Sequence, residues 1–195
     1  MFEGDYTIYG KHATYAKALK LGKEESDVEV GSETKGDLGI FYRIIDVYMV
    51  GVIVGFLHGR KAERDTTSND RVRVYAAAFG TEKLRCDFIY RLIMLLDETT
   101  GYNMEQRIDR AFRDDSKPNN AESKEVMKNN MDLFHSYVLG GIEVLHEKLR
   151  DGCVTKDDYI NKIYEFTSNF KDEIEGISYS EKIKEVMSDY TVGLK

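Results

Sequence analysis

Two of the four histidines fall where helical winding would gather reactive side chains. Asp132 precedes His135 by three residues, Glu143 precedes His146 by three, and the two histidines are eleven apart, a spacing that returns to nearly the same face of a helix. Glu-x-x-His is the ligand pattern of di-iron carboxylate bundles, where it must be met by the same motif and further glutamates on facing helices. No second segment supplies it. A metal site on His135, Glu143 and His146 therefore lacks half of its ligands, and surface or boundary polar positions are the plainer reading. Other catalytic signatures are missing too. Cys86 and Cys153 have no histidine beside them in sequence, no Gly-x-Ser-x-Gly elbow occurs, and no glycine-rich run ends in Lys-Ser or Lys-Thr. No catalytic residue is assigned and no cofactor is expected.

A second group of residues could bind rather than react. His58, Arg60, Lys61, Arg64, Arg71 and Arg73 are set against Glu63, Asp65 and Asp70, the one local basic excess in the chain. His58 follows a strongly apolar run, so a positive charge there would suit the negative end of a helix dipole. The guanidinium and ammonium groups after it suit phosphate or a protein carboxylate. The net charge of −7 opposes a general footprint for nucleic acid or an anionic membrane, so binding to either would have to rest on this patch.

The elements that must carry these residues are mostly helices. Ala121 to Leu149 is the firmest, because Met127, Met131, Phe134, Val138, Ile142, Leu145 and Leu149 keep a three-or-four rhythm. Gly140-Gly141 interrupts it at a cost of about 1 kcal/mol per glycine relative to alanine, which predicts a close backbone neighbour or a kink. From Leu38 to His58 apolar residues surround the whole helix, as in a central helix packed on all sides. Gly51 and Gly55, four apart, predict that another helix crosses it closely. Arg43 and Asp46 are spaced to pair.

A membrane role for that segment fails on length: its uninterrupted apolar part, Val47 to Leu57, is about half of the roughly 20 residues a spanning helix needs. Extending it brings in Asp46 and Arg43, each costing roughly 2.5 to 3.5 kcal/mol at a membrane centre.

Shorter helices are predicted over Lys11 to Leu21 and from Thr81 to about Asp97, the latter with Leu84, Phe88, Leu92 and Leu95 as its inner stripe. Asn103 can cap another through Arg113, with Met104, Ile108, Ala111 and Phe112 facing inward. Thr155 with Asp158 opens one that presents Tyr159, Ile163, Phe166 and Phe170, and Ser180 opens a last one with Ile183, Val186, Met187 and Tyr190. Tyr6 to Tyr9 and Arg71 to Tyr75 have the alternation of short strands. Residues 22–37 and 59–75 read as exposed connections, and the single proline, Pro118, lies in an inter-helix loop.

Three segments resemble small uncharacterised bacterial proteins found with DNA-phosphorothioation and other phage-defence gene clusters. They are Asp46-Val47-Tyr48-Met49 running to Gly55-Phe56-Leu57-His58-Gly59-Arg60-Lys61, then Phe88 to Leu96, then Phe134 to Leu145. The resemblance covers about half of the chain. It implies an accessory component of a defence assembly and brings no catalytic residues to transfer.

The expectation is a mainly α protein: one domain over 1–195, a compact multi-helix bundle around a buried central helix, with at most a short β-hairpin. Two cysteines without disulfide or zinc spacing, and a first segment unlike a signal peptide, place it in the cytoplasm. Its function is expected to be docking onto a protein partner through a helical surface or the 58–73 arm, with homo-oligomers open. A nucleic-acid module using the basic patch is the second reading, and a metal-dependent enzyme using the histidines of the long helix is the third.

Overall fold

Helix α6 (Ala121–Leu149) and helix α2 (Ile44–Leu57) form the centre of the structure, a computed structural model that describes residues 2–21, 39–114 and 120–176. Their contact is made by glycine. A Cβ on Gly141 would collide with the Gly51 carbonyl and stand 2.7 Å from the Gly55 nitrogen, and one on Gly55 would collide with the Tyr137 carbonyl. The predicted close crossing is thus between Gly141 and the Gly51/Gly55 pair, and α6 tolerates glycine at 141 because α2 takes the missing side-chain volume. Ile45, Val47, Tyr48, Val52 and Val54 of α2 are buried around the rest of its circumference, as a central helix requires.

The other described elements are β1 (Tyr6–Tyr9), α1 (Gly10–Leu19), β2 (Arg71–Val74), α3 (Ala76–Thr81), α4 (Lys83–Leu96), α5 (Met104–Phe112) and α7 (Lys156–Gly176). The two strands, distant in sequence, pair antiparallel with Tyr6 opposite Val74 and Tyr9 opposite Arg71. Ile8 and Val74 point into the core and Arg71 and Arg73 out of it, the period of two expected for a half-buried ribbon. Beneath the ribbon, Phe2, Tyr48, Phe79, Tyr90 and Phe134 make an aromatic cluster with ring centroids 5.2–6.4 Å apart.

Local signals set several boundaries. Asn103 accepts from the Gln106 N–H while Gln106 accepts from the Asn103 N–H, both at 3.0 Å, a capping box at the start of α5. Thr155 and Asp158 form the same reciprocal pair before α7. Gly101 and Gly152 adopt positive φ where α4 and α6 have ended. Arg43 pairs with Asp46 at 2.6 Å and also reaches Glu82 at 2.8 Å.

One expectation is corrected in α4. Leu84 and Phe88, read as inner residues, are 86% and 65% exposed, and the helix instead buries Cys86, Tyr90, Ile93 and Met94. Its sequence offers two apolar stripes. The one holding Tyr90 wins because that ring joins the aromatic cluster. In α5 the interior side is taken by Arg110, 2% exposed, whose guanidinium donates to the Met94 and Asp97 carbonyls at 2.6–3.0 Å. It satisfies the orphan carbonyls at the end of α4, and Phe112, predicted to face inward, is left half exposed.

The segment expected to form a helix from Ser180, the connection 22–37 and the Pro118 loop lie outside the described residues. Among the described residues, no helix is long and apolar enough to cross a membrane.

Candidate functional site

Residues 59–70 leave α2 and run as an ordered strap across α6 and the start of α1. Gly140 makes the crossing possible, since a Cβ there would collide with the Arg60 carbonyl and lie 2.9 Å from the Lys61 nitrogen. The Ala62 N–H donates to the Ser136 carbonyl at 2.9 Å. Further along, the Asp65 carboxylate accepts from the Lys11 N–H at 2.7 Å, and the Asp70 carbonyl accepts from the Gly10 N–H at 2.9 Å. These bonds satisfy orphan donors at the N-terminus of α1.

The strap is fastened by one buried carboxylate. Glu143 accepts from Lys11 Nζ at 2.8 Å, His12 Nε2 at 3.0 Å, Arg60 Nε at 3.2 Å and Arg60 Nη2 at 3.1 Å, and Arg60 also reaches Glu147 at 3.0 Å. Burial alone would push the Glu143 carboxyl up. The hydrogen bonds from Lys11, His12 and Arg60 outweigh it and hold the carboxyl below its ordinary value. Burial lowers the His12 imidazole, against the upward pull of Glu143, and opposite that carboxylate its Nε2 is the donor. Its Nδ1 has no hydrogen-bond partner among the described residues.

A second buried carboxylate lies further along. Asp97 accepts from the Tyr137 hydroxyl at 2.5 Å and from Thr99, with Arg110 at 3.6 Å and Lys61 at 4.0 Å. Lys61 also donates to Thr99 and lies 5.0 Å from the centroid of the Tyr137 ring.

The candidate binding residues therefore separate. Arg60 and Lys61 turn inward as structural clasps. Arg73 pairs with Asp5 at 3.2 Å across the ribbon. His58 borders a cleft of about 230 Å³ with Glu147, Lys148, Lys162, Glu165 and Phe166, between the end of α6 and the middle of α7. Arg64 and Arg71 remain on the outer side of the strap, beside Tyr9, Thr66, Ser68 and Asn69.

The three residues of the metal reading go to three places. His135 stacks on Tyr6 at 3.8 Å and shares a hydrogen bond with the Tyr48 hydroxyl at 3.1 Å, and burial pushes it down to about 4. His146 stacks on Tyr15 at 4.0 Å. Glu143 turns to His12. Among the described residues, no three His, Cys, Asp or Glu side chains are placed to hold a metal together.

Sequence reasoning missed Lys11, His12 and Glu147 as partners of the strap, and no local signal could have found them. His12 and Glu143 are 131 residues apart. The glycine pairs were the one available hint that backbone would cross backbone at this point.

The described residues define an α protein of seven helices with a two-stranded antiparallel ribbon. No protein-family model, curated protein or solved structure matches the chain.

Proposed function

We propose that this is a non-catalytic interaction protein that docks through the outer face of α4 and the end of α5. The observation that carries the reading is the outward apolar stripe. Leu84 and Phe88 lie one helical turn apart and both face solvent, although the same helix has a second apolar face that fills the core. Phe112 at the end of α5 is also half exposed, and the Arg91 guanidinium of α4 lies 5.7 Å from its ring centroid. Single exposed apolar residues are ordinary, whereas a contiguous group on one face marks an interaction surface.

Lys83, Asp87 and Arg91 share the helix with this stripe, and Arg85 is paired with Glu82 at 3.1 Å. A protein surface with an apolar centre and a mixed polar rim fits that pattern. The resemblance to small proteins of phosphorothioation and phage-defence clusters supports seeking that partner in a defence assembly of the cytoplasm.

The test compares proteins that co-purify with the wild type and with L84E/F88E, alongside light scattering of both. A stoichiometric partner retained by the wild type and lost from a folded double variant is expected. A partner captured equally by both would refute this surface, and a wild type that stays strictly solitary would refute the function.

A further inference from the structure

Of the five basic side chains from Arg60 to Arg73, Arg64 and Arg71 have no carboxylate within ion-pair distance among the described residues; the others are engaged with Glu143, Glu147, Asp97 and Asp5. The two free guanidiniums border one groove of about 420 Å³, which Tyr9, Thr66, Ser68 and Asn69 complete. Its lining holds two cations, three hydroxyls and an amide, and no carboxylate. Two of the three acidic residues of the same strap are turned toward α1: Asp65 accepts from the Lys11 N–H and from Thr67, and Asp70 binds Thr14 and Lys17, while the third, Glu63, is exposed and outside the groove lining.

We propose that this groove binds one phosphate group, free or carried as a monoester on a small molecule. Arg64 and Arg71 supply the charge, and Thr66, Ser68 and Asn69 supply directed hydrogen bonds. The balance fits, because two guanidiniums match the roughly −1.5 to −2 charge of a phosphate monoester near neutral pH. Planar forks of N–H donors are also the geometry that phosphate oxygens accept. Ser68 Oγ already accepts from the Asp70 N–H at 3.1 Å, which leaves its own O–H to donate. Arg64 is held 3.9 Å from the centroid of the Tyr9 ring, and the strap is fixed on both sides of the groove by Arg60–Glu143 and by the bond from Gly10 to Asp70. The groove is thus assembled before the ligand arrives, which lowers the ordering cost of binding.

Its size is that of a small-molecule site, which runs from about 300 to 1,000 Å³. A nucleic-acid strand would instead need a track of cations, and the neighbouring Arg60, Lys61 and Arg73 are neutralised by their own partners.

Calorimetric titration and thermal melting of the full chain test the proposal with four probes: inorganic phosphate, ribose 5-phosphate, ribose and a single-stranded oligonucleotide. Binding and a raised melting midpoint are expected with the two phosphates and with neither other probe. Equal affinity for both phosphates would assign the site to the free anion, and tighter ribose 5-phosphate to the ester. R64Q/R71Q should lose at least tenfold in affinity with an unchanged ligand-free melting midpoint, while K128Q, outside the groove, should bind as the wild type does. R64K/R71K keeps the charge without the fork and should fall between them, and it serves as the folded variant if the glutamine pair fails to fold. The proposal is overturned if neither phosphate binds at millimolar concentration, if the double variants bind as tightly as the wild type, or if the oligonucleotide binds more tightly with a steep salt dependence.

Discussion

The seam between α2 and α6 and the strap that crosses its edge hold the same two helices together by opposite means. In the seam there is no charge and hardly any side chain: Gly51, Gly55 and Gly141 let backbone meet backbone, with Val52, Val138 and Ile142 buried alongside. In the strap, the backbone is held by a carboxylate that collects Lys11, His12 and Arg60. The seam works by excluding atoms and has no substitute for an absent Cβ. The strap works by pairing charges whose outer ends remain half in water, so part of its loss can be made up by solvent.

The largest effect is therefore expected in the seam. Gly141→Ala should destabilise by about 3 kcal/mol or more, because the new methyl meets the Gly51 carbonyl, which is backbone and has nowhere to turn. This holds although alanine is favoured over glycine in a helix by about 1 kcal/mol. Gly80→Ala is the counterpart in α3, where a Cβ would meet nothing within 4 Å, and it should be neutral or slightly stabilising. Urea unfolding of both variants checks the contrast, and equal effects would erase the special status of the seam.

Glu143→Ala should cost about 3 kcal/mol, the low end for breaking a buried pair, because Lys11 and Arg60 are 52% and 46% exposed and can recover hydration. His12 cannot, being fully buried. Glu143→Gln keeps an acceptor and should recover part of the loss. If the alanine variant unfolds at the wild-type urea concentration, the strap is decoration and the seam alone holds the helices.

How far each region could be foreseen follows from the range of its interactions. The seam was legible because glycine inside a strong helical rhythm costs stability and needs a compensating neighbour, so Gly140-Gly141 and Gly51/Gly55 pointed to a close crossing without naming it. Capping at Asn103 and Thr155 was legible because those bonds span three residues. The strap was not. Arg60 and Lys61 are indistinguishable in sequence from Arg64 and Arg71, and only the tertiary positions of Glu143 and Asp97 decide which pair is consumed by the fold. The two faces of α4 escaped for a related reason, since both are apolar at helical spacing and the choice rests on where Tyr90 finds its aromatic neighbours.

Acid should act on a third place, the aromatic flank of α6. In an unfolded chain His135 titrates near 6.5, whereas in the fold burial lowers it to about 4. Between these values the unfolded state binds the proton and the folded state does not. The contribution is thus complete above pH 6.5 and is lost as the pH falls, by about 2 kcal/mol at pH 5. His135→Gln should flatten this part of the stability profile between pH 7 and 5, measured by urea unfolding at each pH. His12 and His146, also lowered by burial, titrate in both proteins and leave a common remainder. An identical slope in the variant would move the acid sensitivity back to the Glu143 cluster.

The smallest effect on stability should come from α4, whose outer face belongs to neither the seam nor the strap. Leu84→Ala and Phe88→Ala remove side chains that are 86% and 65% exposed, so each should stay within about 0.5 kcal/mol of the wild type in urea unfolding. That near-neutrality gives the comparison its functional side. In the seam and the strap, the residues that matter most are those whose removal loosens the fold. On α4, two large apolar residues are expected to contribute almost nothing to the folded chain, which leaves them available for the docking proposed above. A loss of 2 kcal/mol or more in either variant would show instead that this face is covered within the chain, and would remove the ground for reading it as a docking surface.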